Sequence, residues 1–171
     1  MFGEILKFTL PALITFITAF VMIRLMLKKD ENHQKLEMVI RNQKMITPIR
    51  LQAYERLILL LERIGPNHLI MRVQHPDMSV QELQRELLAN IRSEFEHNLS
   101  QQVYISAATW EIIRNSKEQT IKLINSCANE LHPDNNCMLL TKDIFEKLIE
   151  MDKAPNQVAI DKVKEEVMLL M

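Results

Sequence analysis

Three residues in the C-terminal half of the sequence have side chains that bind metals. Cys127, His132 and Cys137 follow one another with four residues between neighbours, and Asp134 lies beside them. Zinc takes thiolate and imidazole ligands in tetrahedral sites. The spacing differs from the tight two-residue knuckle of zinc modules, and Cys127 also fits an apolar helical stripe as a small hydrophobe. A metal- or redox-responsive module is therefore kept as an alternative, and we expect no bound metal or cofactor.

The other residues of chemical interest form no catalytic motif. Gly3 and Gly65 are the only glycines, so a glycine-rich phosphate loop is excluded from the body of the chain. No serine has the sequence context of a nucleophile elbow. None of the five histidines forms an i, i+4 pair with another. We predict no catalytic residues and a protein that is not an enzyme.

The composition favours helices. Two glycines and two tyrosines stand against eleven methionines and many Leu, Ile, Glu, Lys and Gln residues, which is a poor composition for strands and turns. We predict an all-α fold in which an N-terminal transmembrane helix precedes a small helical bundle. One short extended segment near 101–106, in "QQVYIS", or else a helical connection, is also expected.

The transmembrane prediction depends on residues 8–27. Sixteen residues from Phe8 to Ile23 carry no charge, and the stretch reaches twenty at Leu27 if Arg24 extends to the interface, which matches the ~20 residues needed to cross a bilayer. A cleaved signal peptide is disfavoured because its basic start and small-residue cleavage site are missing. Residues 1–29 are predicted to form the anchor, in contact with membrane lipid. The expected membrane-flank residues are Arg24, Lys28, Lys29 and Lys35.

Charge predicts the orientation and excludes one class of partner. The basic flank follows the anchor, so the body should be cytoplasmic and the N-terminus outside. Residues 1–29 carry four basic residues and one acidic residue of the 21 and 22 in the chain, which leaves 17 and 21, a net charge of -4, beyond them. A nucleic-acid-binding surface needs a basic patch. We therefore expect no nucleic-acid partner.

A heptad-like apolar seam follows the anchor. It predicts a juxtamembrane linker helix over 30–47 and a helical cytoplasmic domain over 48–171. Thr47 and Pro48 interrupt the seam, either as the cap and first residue of a new helix or as a kink in one long helix. All but two of the nine seam positions, Gln43 and Arg50, are apolar. The seam consists of Leu36, Val39, Gln43, Ile46, Arg50, Ala53, Leu57, Leu60 and Ile64.

The rest of the body predicts four more helices. The helix that carries the end of the seam should stop at Gly65, before Pro66. Gly65 is expected to adopt the left-handed conformation. Ser79 and Glu82 have the spacing of a capping box and predict a helix from Val80 to about Asn98. A third helix follows from Trp110, and the last follows Ala154-Pro155. Between these two, Thr141 or Asp143 is expected to cap a short helix.

Two residues resist the pattern of the helix in "ITPIRLQAYERLILLLERI", residues 46–64. Its aliphatic arc of about 200° predicts a central helix with at least two neighbours. Leu59 falls on the polar face, whereas Arg50 falls on the apolar one and needs a carboxylate, a carbonyl or an escape to water. The candidate interaction residues are Arg50, Tyr54, Leu59 and Trp110.

The anchor followed by "ITPIRLQAYERLILLLERIGPNHLIMRV" and "QQVYISAATWEIIRNSKEQTIKLIN" resembles an uncharacterised family of small single-pass bacterial membrane proteins with a helical cytoplasmic domain. The resemblance covers about half of the chain and implies a bacterial inner-membrane location, with no activity or ligand to assign. We expect a non-enzymatic scaffold or accessory subunit that binds another protein or forms a homo-oligomer.

Overall fold

A computed structural model describes the backbone of residues 2–169 and the side chains of residues 13, 15–26, 28, 34 and 37–169. The described chain is helical and contains no strand, which confirms the all-α prediction. A single antiparallel bridge joins Ser79 and Asn136. The helices are α1 (Phe2–Ile64), α2 (Pro66–Val73), α3 (Val80–His97), α4 (Ala107–Asn129), α5 (Cys137–Glu150) and α6 (Pro155–Met168), with a 3-10 helix at Leu99–Tyr104.

The chain divides into two compact units, residues 1–46 and residues 47–171. The first unit is helical, and its described apolar side chains are exposed, including Phe16, Ile17, Phe20 and Val21. Across the part of the chain that the structure describes, no helix combines the length and apolarity needed to cross a membrane. Seven of the twenty residues in the predicted span, 8–12, 14 and 27, have side chains outside the described set.

Helix α1 passes through Pro48 without a break. Thr47 is therefore not the cap of a new helix, and one of the two expectations for this segment is wrong. Proline removes one backbone donor from a helix interior but leaves the neighbouring hydrogen bonds in place. Ile46, Thr47 and Ile49 are only moderate helix formers, but Lys44 and Met45 before them and Arg50 and Leu51 after them are good ones and favour a continuous helix.

The second unit has one hydrophobic core. Helix α4 packs extensively against α6, and α3 packs against α4 and α5. The C-terminal part of α1 lies among them, because Leu57, Leu61 and Ile64 are completely buried. Its hydrogen bonds reach both α3, at Glu94, and α6, at Glu166. This agrees with the prediction of a central helix.

Side-chain caps begin three of the helices. Ser79 and Glu82 make both halves of the predicted capping box at α3. Helix α5 begins at Cys137, capped by Asn136, whose side chain accepts a hydrogen bond from Met138 N at 2.9 Å. The predicted caps Thr141 and Asp143 are wrong, since Asn136 starts the helix one turn earlier.

The segment at 99–106 is mostly helical. Leu99–Tyr104 form a 3-10 helix, while Ile105 and Ser106 have extended backbones. The helical alternative is correct for most of "QQVYIS", and the extended alternative holds for its last two residues.

Gly65 is not in the left-handed conformation that its place at a helix end predicts. Its φ is -58° and its ψ is 131°. The residue before a proline is confined to extended backbone, and Pro66 follows. A Cβ atom at this position would lie 2.5 Å from Asn156 Nδ2. A side chain at position 65 would therefore have to displace the Asn156 amide, because α6 approaches closely here.

Candidate functional site

Four side chains and one carbonyl form a polar cluster in the second unit, which we call the Arg50 cluster. Arg50 donates from Nε to the Tyr104 carbonyl at 2.9 Å and from Nη2 to the Tyr54 hydroxyl at 3.0 Å. Tyr54 donates in turn to Glu166 Oε1 at 2.8 Å. Ser106 donates to the same carboxylate from its backbone N–H, at 2.8 Å, and from its hydroxyl, at 2.7 Å.

Each member of the Arg50 cluster is placed by a helix. Arg50 and Tyr54 are four residues apart on α1 and so share one face, with the guanidinium 5.9 Å from the centre of the tyrosine ring. Ser106 is the N-cap of α4, and its hydroxyl also accepts a hydrogen bond from Thr109 N. Glu166 lies in the last turn of α6. The cluster therefore joins three helices and the end of the 3-10 helix.

Hydrogen bonding keeps the Glu166 carboxylate ionised. Partial burial acts to raise its pKa, but the hydrogen bonds from Ser106 and Tyr54 and the nearby Thr109 hydroxyl outweigh burial and lower the pKa to about 2. The Thr109 hydroxyl oxygen is buried and makes no hydrogen bond of normal geometry with a described residue. The Arg50 guanidinium lies 3.8 Å from Glu166. Burial and the bond to Glu166 raise the pKa of Tyr54.

The hydrogen bonds of the Arg50 cluster join helices to one another. They leave the Glu166 carboxylate little room to take part in proton transfer. Donors of the protein itself occupy both oxygens of Glu166. The charged form is stabilised by these charge-assisted bonds, each stronger than a bond between neutral groups. The arrangement accounts for Arg50 on the apolar seam, because the guanidinium finds the carbonyl and the carboxylate that the sequence requires, both inside the chain.

The other two interaction candidates lie apart from the cluster. Leu59 is 60% exposed, as its place on the polar face predicts. Trp110 is half-buried and stacks on Phe95 with ring centres 5.3 Å apart. Lys117 lies on the same phenylalanine, with its Nζ 4.4 Å from the ring centre.

The membrane-flank candidates fall in the first unit. Arg24 lies 5.0 Å from the centre of the Phe20 ring. Lys28 is exposed. The side chains of Lys29 and Lys35 lie outside the described set, so the structure says nothing of them.

The two cysteines and His132 are not brought into one ligand group. Both cysteines are buried, whereas the His132 side chain is 71% exposed. Cys137 donates instead to the His75 carbonyl at 3.3 Å. Burial raises the pKa of the Cys127 thiol, which disfavours the thiolate that metals bind. Within the residues described, no set of three or more His, Cys, Asp and Glu side chains is arranged to hold a metal.

Sequence reasoning missed Ser106 and Glu166. Ser106 stands before a helical run and is a common N-cap type, a signal that could have been used. Glu166 has no comparable signal, because it is one of several acidic residues on an amphipathic helix and its partner Tyr54 is 112 residues away.

The fold and the Arg50 cluster define an all-helical module whose helices are joined by buried and half-buried polar contacts. The chain belongs to the Family of unknown function (DUF7935), whose model matches residues 1–170. Comparison with curated proteins and with solved structures gives no significant match.

Proposed function

We propose that this protein is a non-enzymatic helical module, anchored by its N-terminal helix in a bacterial inner membrane. Its helical body faces the cytoplasm and acts as a scaffold or accessory subunit that binds another protein or a second copy of itself. The alternative of a metal- or redox-responsive module has no supporting contact among Cys127, His132 and Cys137.

The contrast along the seam of α1 carries this proposal. Leu57, Leu60 and Ile64 are at most 1% exposed. Val39 and Ile46, on the same repeat, are 52% and 51% exposed. Met38, Ile40, Met45 and Ile49 are also exposed. Exposed apolar side chains concentrated on one segment mark a surface for another protein or a membrane.

The charges of this segment lie on one side of the helix and leave the other side apolar. Arg41, Lys44 and Glu37 project within a narrow arc of the helix, at ~100° per residue, on the side opposite Val39 and Ile46. A helix that is apolar on one stripe and charged on the other packs its apolar stripe against a partner. The anchor before it rests on the uncharged run from Phe8 to Ile23.

Cysteine cross-linking in native membranes tests the proposal. Val39→Cys and Ile46→Cys, each in the full chain, should cross-link to a second copy with a short thiol-to-thiol reagent or to one defined partner with a short thiol-to-amine reagent. The native Cys127 and Cys137 are buried and therefore react slowly with the reagent.

Glu37→Cys and Lys44→Cys are matched controls, since they have the same seven-residue spacing on the charged side. We expect weak cross-linking there. Equal cross-linking at all four positions, or none at any, would contradict the proposal. Recovery of the chain in the soluble fraction after cell lysis would overturn the membrane anchor.

Metal analysis of the purified chain separates the alternative from the main proposal. About one zinc per chain, lost on replacing Cys127 and Cys137 by serine, would favour the metal-responsive module. We expect no bound zinc.

A further inference from the structure

A cleft with a volume of about 410 Å³ opens where α1 ends and where α2 and α6 begin. Its walls include Gly65 and His68 on one side, Asn156 on another, and Phe145 and Leu148 of α5. Small-molecule sites begin at about 300 Å³. The cleft lies within the second unit and has no part in the Arg50 cluster or the seam, so an inference from it is independent of the proposed function.

The two helices that begin at this cleft lack side-chain caps. Helices α3, α4 and α5 are capped by Ser79, Ser106 and Asn136. Gly65 and Ala154 cap α2 and α6 without a side-chain hydrogen bond, and proline follows each of them.

The free donors of both starts lie at the cleft. The backbone N–H groups of Asn67, His68 and Asn156 have no acceptor among the described residues. Such groups, with the helix dipole, favour an anion.

A buried polar side chain at the same place supports this independently. Asn156 is only 9% exposed, and it lines the cleft with its amide nitrogen against Gly65. Neither its carbonyl oxygen nor its amide nitrogen is hydrogen-bonded to any described residue. The fully buried unpartnered side-chain atoms of the described residues do not include those of Asn156, so its amide atoms are accessible from the cleft. An accessible amide without a protein partner, beside two helix N-termini, is available to hydrogen-bond a ligand.

The lining of the cleft also contains an acidic residue, on α1 three residues before Gly65, and apolar side chains. Glu62 lines the cleft, and its nearest charged partner is His68, whose Nε2 lies 3.7 Å away and is cationic only when protonated. No lysine or arginine of the described chain pairs with Glu62. Phe145, Leu148 and Ile149 supply apolar surface, and Ile149 is largely exposed.

We infer that this cleft binds a free α-amino acid with an apolar side chain. The ligand carboxylate accepts hydrogen bonds from the N-termini of α2 and α6 and from the Asn156 amide. Its ammonium group pairs with Glu62. Its side chain packs against Phe145, Leu148 and Ile149. The three features of the cleft thus match the three parts of one small zwitterion.

Titration of the purified full chain with L-leucine, followed by calorimetry or by amide chemical shifts, tests this inference. Three probes each remove one part of the ligand: leucinamide lacks the carboxylate, 4-methylpentanoate lacks the ammonium group, and glycine lacks the apolar side chain. Leucine should bind at least about tenfold more tightly than each of them, because each lost charged or apolar contact weakens binding by about that factor. Equal binding of leucine and leucinamide, or no leucine binding at about 10 mM, would overturn the inference.

Two variants locate the site. Glu62→Gln should weaken leucine binding about tenfold and leave 4-methylpentanoate binding unchanged. Glu55→Gln, on the same helix seven residues earlier and exposed, should change neither. Leucine binding unchanged by Glu62→Gln would count against the site.

Asn156→Asp places a carboxylate where the ligand carboxylate is proposed, so leucine binding should be lost. Gly65→Ala serves as a second variant, because its new methyl group would displace the Asn156 amide while the ordinary φ of Gly65 accommodates alanine. A circular-dichroism melt confirms folding for both. A folded variant of either kind that binds leucine normally would overturn the assignment.

Discussion

The two halves of the α1 seam have the same sequence pattern and opposite surroundings. From Ala53 to Ile64 the seam residues are buried by α3 and α6 and by the rest of the core. At Val39 and Ile46 the same repeat is half-exposed. The comparison shows that a periodic apolar pattern identifies the face of a helix that packs against another surface. It does not say whether that contact comes from the same chain.

The largest expected difference between the halves lies in core packing. Leu57→Ala should lower the free energy of unfolding by about 2 to 5 kcal/mol, since it removes a completely buried side chain and leaves a cavity. Ile46→Ala should change it by less than about 0.5 kcal/mol in the isolated chain. Urea denaturation of the two purified variants measures both values.

The dependence of the Ile46→Ala effect on protein concentration shows whether Ile46 contacts a second copy of the chain. If Ile46 contacts a second copy, the Ile46→Ala effect should grow as the concentration rises, because association stabilises the folded chain by mass action. A large effect at low concentration would mean that Ile46 is covered within its own chain.

Glu166→Gln tests how the buried half of the seam tolerates Arg50. We expect a loss of up to about 3.5 kcal/mol in the free energy of unfolding, because the pKa of Glu166 is lowered from 4.5 to about 2 and each pKa unit corresponds to about 1.4 kcal/mol. Thermal melts at pH 7 measure this loss. Glu118→Gln, on the exposed surface of α4, is the control and should be near neutral.

The pH dependence of stability has a definite sign in this cluster. The fold favours ionised Glu166, so its contribution is complete above pH 4.5 and declines as the pH falls toward 2. The fold favours protonated Tyr54, so that contribution is lost as the pH rises above 10. Melts of the wild type and of Glu166→Gln between pH 3 and pH 7 should converge at the acid end. Parallel curves would contradict the cluster's role.

Pro48 lies between the two halves and gives a smaller effect. Pro48→Ala should raise the free energy of unfolding by about 1 to 2 kcal/mol, since alanine restores a backbone donor in a helix that already continues through this position. The more flexible unfolded chain offsets part of the gain. A loss of stability and of helical circular dichroism would show that the helix needs the proline.

Leu59 gives the smallest expected effect on folding. Leu59→Gln should change the free energy of unfolding by less than about 0.5 kcal/mol, because the side chain is mostly exposed. In contrast, Leu57→Gln, two residues earlier, should unfold the chain because it places a polar side chain at a completely buried position.

Local signals predicted much of the fold. The Ser79 and Glu82 spacing gave the start of α3 because a capping box depends on residues three apart. The extended backbone of Gly65 was predictable from Pro66 beside it, whereas the close approach of Asn156 of α6 was not. The cap at Asn136 was missed although the type of residue was a usable signal.

The candidate site was predictable only in part. The position of Arg50 on an apolar stripe showed that a polar partner must exist. The identity of the partners depends on tertiary contacts, since Tyr104 is 54 residues away. Nothing in the sequence around Glu166 distinguishes it from Glu165 beside it. Periodicity places a side chain on a face, but the pairing of faces is decided by the whole core.

The Glu166 carboxylate also sets an order of events during folding. Its bond to Tyr54 closes a loop of 112 residues, and contacts of such long range form late because the chain entropy must be lost first. A chain made from its N-terminus exposes Arg50 and Tyr54 long before Glu166 is synthesised. Until then the polar groups on this face of α1 lack their carboxylate, so the Arg50 cluster cannot be completed before α6 has been made.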